Sequence, residues 1–269
     1  MVVYLGTKPV GVNKVFEKEV AKTKFSTNID TFLGDVDENG VLQQTAWTGA
    51  LNFAGVREIG ANGLQYKFFR YRGIPSVDLS SVQSINTNGL YYAFVGCTSL
   101  TSINLSSVQI IGSNGLNNAF NGCTSLTSVD LSSVQSIGLN GLNNAFNGCT
   151  SLTSVNLSSL YSVDSYGLTN AFYECTSLTS VNLSSLQIIG SNGLKNVFSG
   201  CSSLTTISFP SLTGVQTNSF GSSTSNGAFR NCTALTEIHF RADAQATIEA
   251  MSQYANKWGA TNATIYFDL

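Results

Sequence analysis

The sequence predicts an α/β repeat fold, a solenoid of about seven 26-residue coils with a cap at each end, and three observations carry that prediction. A cysteine returns every 26 residues, at Cys97, Cys123, Cys149, Cys175 and Cys201, and Cys232 follows after a spacing of 31. A phenylalanine stands three residues before each one, at Phe94, Phe120, Phe146, Phe172, Phe198 and Phe229. Between them, apolar residues keep fixed places while nearly everything else is Ser, Thr, Asn or Gly. A fixed period of this length means stacked supersecondary units, none of which can bury its own apolar side chains alone.

Taken in order, Val2 to Leu5 reads as a strand and Asn28 to Leu33 as a short helix, so residues 1–47 form an N-terminal cap or attachment segment. The repeats run over 48–240, with seven units counted to about residue 234. In the unit from Leu126 to Ser151, the apolar places are Leu126, Val129, Leu131, Val134, Ile137, Leu142, Ala145, Phe146 and Cys149. Val129-Asp130-Leu131 alternates with the period of a half-buried strand. Gly138 ends the extended run, and Leu142 and Phe146, at i and i+4, suggest a short helical turn closed by Gly148. The longer last spacing, from Cys201 to Cys232, is explained by a surface-loop insertion at Gly221 to Ser225. Over 241–269 a helix from Asp243, its N-cap, to about Trp258 would carry an Ile248, Met251, Tyr254 stripe, and Ala263 to Phe267 would be a closing strand.

Composition narrows the function classes. Only 10% of residues are charged, the net charge is −2 and the pI is 5.3, so there is no basic stripe for nucleic acid. No apolar run is long enough for membrane insertion, and the N-terminus lacks an apolar signal-peptide core. The six cysteines read as a buried structural ladder beside the phenylalanines rather than as disulfides or metal ligands, since no C-x-x-C pair occurs and His239 is the single histidine. Asp35 to Gly40 imitates the start of a calcium loop, but the twelfth position is Ala46 where a glutamate is needed, so a polar turn is the better reading. No nucleophile elbow, phosphate-binding loop or paired acids are present, and the chain reads as a non-enzyme without cofactor or metal.

The stretch from Ala119 to Gly138, AFNGCTSLTSVDLSSVQSIG, and its recurrences resemble the BspA-like leucine-rich repeat family. That resemblance implies a leucine-rich-repeat solenoid and an association with surface adhesion to host proteins or other cells. The repeat here is longer than is usual in that family, and the proline that commonly follows the strand stands only at Pro210. The opening, Val3 to Val10, is similar to the short leader of virion or prophage tail proteins from gut bacteria.

In such a solenoid the strands line the concave face. Its outward positions would be Ser102, Asn104, Ser128, Asp130, Ser154, Asn156, Ser180 and Asn182, neutral hydroxyl and amide groups suited to a cell-surface protein or glycan. The expected localisation is the extracellular surface or a virion, and an oligomer would form through residues 1–47. Two other readings stand beside adhesion. The repeats are a structural scaffold or spacer, as in a phage tail fibre, or the threonine column Thr101, Thr127, Thr153 and Thr179 orders water at ice.

Overall fold

The computed structural model describes Val2, Val3, Phe16, Glu17 and residues 50–269 apart from Ala54, Thr224 and Ser252. The expected helix at Asn28–Leu33 and the turn Asp35–Gly40 lie outside the described residues. Strands β1 (Val2–Val3) and β2 (Phe16–Glu17) pair antiparallel. The coils then contribute β3 (Leu51–Asn52), β4 (Glu58–Ile59), β5 (Ser76–Asp78), β6 (Ser84–Ile85), β7 (Ser102–Asn104), β8 (Ile110–Ile111), β9 (Ser128–Asp130) and β10 (Ser136–Ile137). They continue with β11 (Ser154–Asn156), β12 (Ser162–Val163), β13 (Ser180–Asn182), β14 (Ile188–Ile189), β15 (Thr206–Phe209) and β16 (Gly214–Val215). Two strands end the chain, β17 (Glu237–Phe240) and β18 (Thr264–Phe267).

Every coil crosses two parallel sheets. The first holds β3, β5, β7, β9, β11 and β13, the second holds β4 through β16 in steps of two, and β15, β17 and β18 make a third sheet. Register is set by the repeat, so Ser102, Ser128, Ser154 and Ser180 are direct neighbours, as are Ile103, Val129, Val155 and Val181. The strands are only two to four residues long because apolar residues alternate with polar ones just that far. Five first-sheet strands, β5, β7, β9, β11 and β13, end at an Asx turn. Asp130 Oδ1 accepts from the Ser132 amide at 2.9 Å, and Val134 N–H closes the turn onto Leu131 C=O at 3.0 Å.

The expected short helix is not formed. From Asn140 onwards, Gly141, Asn143, Ala145, Asn147 and Cys149 each donate N–H to the carbonyl three residues back. The alternate amides, those of Asn140, Leu142, Asn144, Phe146 and Gly148, donate instead to the next coil, for example Leu142 to Gly167 at 2.8 Å and Phe146 to Ala171 at 2.9 Å. The result is a ribbon of consecutive turns that is itself laddered between coils. Its backbone turns left-handed at every fourth residue, with φ 53° at Asn140, 54° at Asn144 and 70° at Gly148. Asparagine and glycine tolerate that conformation and a helix cannot contain it. Leu142 and Phe146 still share a face, because a four-residue repeat of turns also returns side chains inwards, and both are fully buried.

The core is a set of columns. Phe68, Phe94, Phe120, Phe146, Phe172, Phe198 and Phe229 stack with centroids 4.9 to 6.1 Å apart and ring planes within 13°. Beside them all six cysteines are free and buried. Each thiol points at a phenylalanine carbonyl of the preceding coil, as in Cys149 Sγ to Phe120 O at 3.3 Å and Cys175 Sγ to Phe146 O at 3.2 Å. A small side chain with one weak donor therefore fits both the volume and the otherwise half-used acceptor.

At the C-terminal end, the expected single helix is broken into pieces. A 3₁₀ turn at Ala242–Ala244 leads into an α-helix at Gln245–Glu249, and a second 3₁₀ segment spans Tyr254–Gly259. Gln253, Lys257 and Trp258 all have positive φ, which interrupts the helix despite its apolar stripe. Asp243 does not cap it; its carboxylate pairs with Arg241, with Arg241 Nη2 2.6 Å from Oδ2. Trp258 is fully buried, 4.7 Å from Phe220, and closes the phenylalanine column.

Candidate functional site

The outward side of the first sheet carries two polar columns. Ser102, Ser128, Ser154 and Ser180 form one, and Asn104, Asp130, Asn156 and Asn182 the other. All eight side chains are exposed. An open groove runs along all of them but Ser102, lined also by Ser106 and Ser208.

The second column has a duty within the chain. Asn104, Asp130, Asn156 and Asn182 each use Oδ1 to hold the amide of the serine two residues on, at 2.9 to 3.1 Å. This leaves the Nδ2 groups of the asparagines and the serine hydroxyls as the face's outward hydrogen-bonding groups. The threonine column is also engaged. Thr101, Thr127, Thr153 and Thr179 donate Oγ1–H to a carbonyl of the preceding coil, between 3.0 and 3.3 Å. Their hydroxyls therefore lace neighbouring coils together.

The polar columns do not stop where sequence spacing loses them. Ser208 of β15 pairs with His239 of β17, which pairs in turn with Tyr266 of β18, while Thr206 pairs with Glu237 and Glu237 with Thr264. His239 stacks on Tyr266 at 4.8 Å, and its Nδ1 lies 2.9 Å from Asp268 Oδ1 and its Nε2 3.5 Å from Glu237 Oε2. Burial of the ring opposes the charged form, but the hydrogen bonds to Asp268 and Glu237, with their charges, raise its pKa above the usual histidine value. The face thus changes from hydroxyls and amides, with the one carboxylate of Asp130 among the eight, to clustered ionisable and aromatic groups at its C-terminal end. The insertion before Cys232 breaks the 26-residue count, which hides this continuation from sequence inspection.

The second sheet shows a different surface, with Ile110, Tyr161 and Ile188 exposed on or beside its strands. Among the described residues, no cluster of three or more histidine, cysteine or acidic side chains could hold a metal ion. No helix among them is long and apolar enough to cross a membrane.

With this coil geometry established, the family model for the BspA type leucine rich repeat region matches in six copies, over residues 62–192 and 90–226. The chain belongs to the BspA-type leucine-rich repeat family. Such repeats generally build protein-binding and adhesion modules, are typically non-enzymatic scaffolds and are usually surface-exposed. No curated protein matches the chain. Among solved structures, it is similar to the leucine rich repeat protein of T. pallidum, with 21% identity, a TM-score of 0.39, and 88% of this chain and 78% of that one covered. A leucine-rich repeat protein from Bacteroides ovatus is 22% identical with a TM-score of 0.42, and one from Eubacterium ventriosum 23% with 0.45. The match covers 85% and 69% of this chain, and spans 64% and 46% of those two proteins.

Proposed function

We propose that this BspA-type chain is a non-enzymatic adhesion module that recognises a cell-surface protein or glycan through the outward face of its first sheet. The observation that carries the reading is the unbroken pair of polar columns, Ser102 to Ser180 and Asn104 to Asn182, exposed on one face with a groove along all of them but Ser102. Hydroxyls and amides both donate and accept, and at the regular spacing of stacked strands they suit an extended neutral surface better than an ionic ligand. The extracellular surface or a virion is the setting this implies.

The Asx turns permit a clean test. Asn182→Asp keeps the Oδ1 acceptor, as Asp130 does in its own coil, but removes the Nδ2 donor. Ser154→Arg fills the middle of the groove. Fluorescently labelled protein should bind saturably to at least one of gut bacterial cells, mucin or matrix protein. The double variant should bind at least tenfold more weakly with an unchanged melting temperature. Narrow binding to bacteria supports a virion receptor-binding part, and binding to mucin or matrix supports a bacterial adhesin. Equal binding by the double variant would instead favour the scaffold or spacer reading, for which the structural use of every Oδ1 in the column already speaks.

A further inference from the structure

The turn ribbon carries a second surface that differs in kind from the strand face. Its left-handed positions fall in three columns. The first holds Asn62, Asn88, Asn114, Asn140, Tyr166 and Asn192, and the third is mostly glycine. The middle column holds Asn118, Asn144, Asn170 and Asn196, but in the first two coils it holds Tyr66 (φ 58°) and Tyr92 (φ 55°). A bulky aromatic residue is poorly tolerated at positive φ, where asparagine is the norm of this very column. Tyr166 is left-handed too, in the first column, so the conformation alone does not mark a site; what sets Tyr66 and Tyr92 apart is that they stand next to one another in one column.

These two tyrosines sit in one aromatic cluster. Tyr66 stacks on Tyr92 at 5.2 Å with ring planes 29° apart, Tyr91 stands edge-on to Tyr66 at 5.6 Å, and Tyr91 and Tyr92 are 4.6 Å apart. Phe69 lies 6.3 Å from Tyr66. Tyr66 is 40% exposed, so this is surface and not core. Where the tyrosines stop, amides begin. Asn117 donates to Asn114, Asn118 to Asn117 and Asn121 to Asn118, at 2.5 to 3.2 Å, and the next coil repeats the chain with Asn140, Asn143, Asn144 and Asn147. Along the ribbon the ladder of rings thus gives way to half-buried amides that are bonded to one another.

The geometry points to a saccharide-binding site at this step, taking a neutral pyranose ring of a glycan. A pyranose presents an apolar C–H face, which packs on an aromatic ring, and a rim of hydroxyls that donate and accept. Phenol hydroxyls and carboxamides answer such a rim in both senses. The same joint demand for a flat apolar face and uncharged two-way hydrogen bonding is not made by an acidic or basic peptide. This site is separate from the strand face and does not depend on it.

The test uses the substitutions that the chain itself makes at the same places, Tyr66→Asn, Tyr91→Asn and Tyr92→Asn in the full chain. Migration is measured in native gels containing laminarin, galactomannan or soluble starch. The wild-type chain and the Ser154→Arg variant should both be retarded by at least one of them. The triple variant should lose that retardation at least tenfold while its melting temperature holds or rises, because asparagine relieves the strain. Three results would overturn the assignment. One is no retardation of the wild type by any of the three polysaccharides. Another is equal retardation of the triple variant. The third is a lowered melting temperature in the triple variant, since the rings would then be holding the first coils together.

Discussion

At the scale of single residues, the cysteine column governs how this protein responds to alkali. Burial pushes Cys97, Cys175 and Cys232 up to about 12, and raises Cys123, Cys149 and Cys201 well above a thiol's usual value near 9. The folded pKa lies above the unfolded one, so this contribution to stability is complete below about pH 9. It is lost as pH rises towards 12, because the unfolded chain gives up protons the folded chain keeps. Each thiol should cost about 1.4 kcal/mol of stability per pH unit in that window. Urea melts at pH 7 and pH 10 should therefore show a steep loss, and Cys149→Ala should make it shallower by one thiol's share. Alkylation at pH 8 should label none of the six in the native protein and all of them in urea, since the thiolate is the reactive form.

At the scale of the element, the turn ribbon separates glycines that merely ease the backbone from glycines that admit the neighbouring coil. Gly148 has φ 70°, but a Cβ there would meet only Gly122 backbone at an ordinary 3.9 Å. Gly190 has no positive φ, yet a Cβ there would lie 2.6 Å from Ser165 N and 2.7 Å from Asp164 C. Gly148→Ala should cost about 1 kcal/mol, the left-handed penalty alone. Gly190→Ala must push two coils apart at a packed backbone, and we expect about 2–3 kcal/mol and the larger fall in melting temperature. The same ribbon shows what was readable and what was misread. Asn140, Asn144 and Gly148 stand four apart, and so do Leu142 and Phe146, a spacing shared by a helix face and a chain of turns. The residue types decide between them. Asparagine and glycine at a fixed four-residue period mark left-handed backbone, whereas apolar spacing alone fits either.

At the scale of the whole molecule, stability is shared between neighbouring coils rather than gathered at one centre. Phe146 stacks on Phe120 and Phe172, and its carbonyl receives the Cys175 thiol. Phe146→Ala should cost about 3–5 kcal/mol. Because the coupling is to nearest neighbours, hydrogen exchange should accelerate most in the coils around residues 120–175, with the region near Trp258 least affected. If protection fell equally along the solenoid, the coils would be acting as one cooperative core instead.

The sequence by itself determined the coil, its length, the identity of every core column and the polar columns of the strand face, because a strict 26-residue period forces like residues into register. The family was legible in the same repeat. Only the tertiary structure decided how the polar groups are used. Hydrogen bonds between residues 25 to 31 apart, such as Leu142 to Gly167 or Thr236 to Thr205, depend on where the neighbouring coil lies. So do the bonding of the threonine hydroxyls to the preceding coil and the arrival of His239 and Tyr266 at the end of the serine and asparagine columns. Sequence periodicity states which side chains are stacked. Which backbone groups those side chains satisfy is settled by the contact between coils.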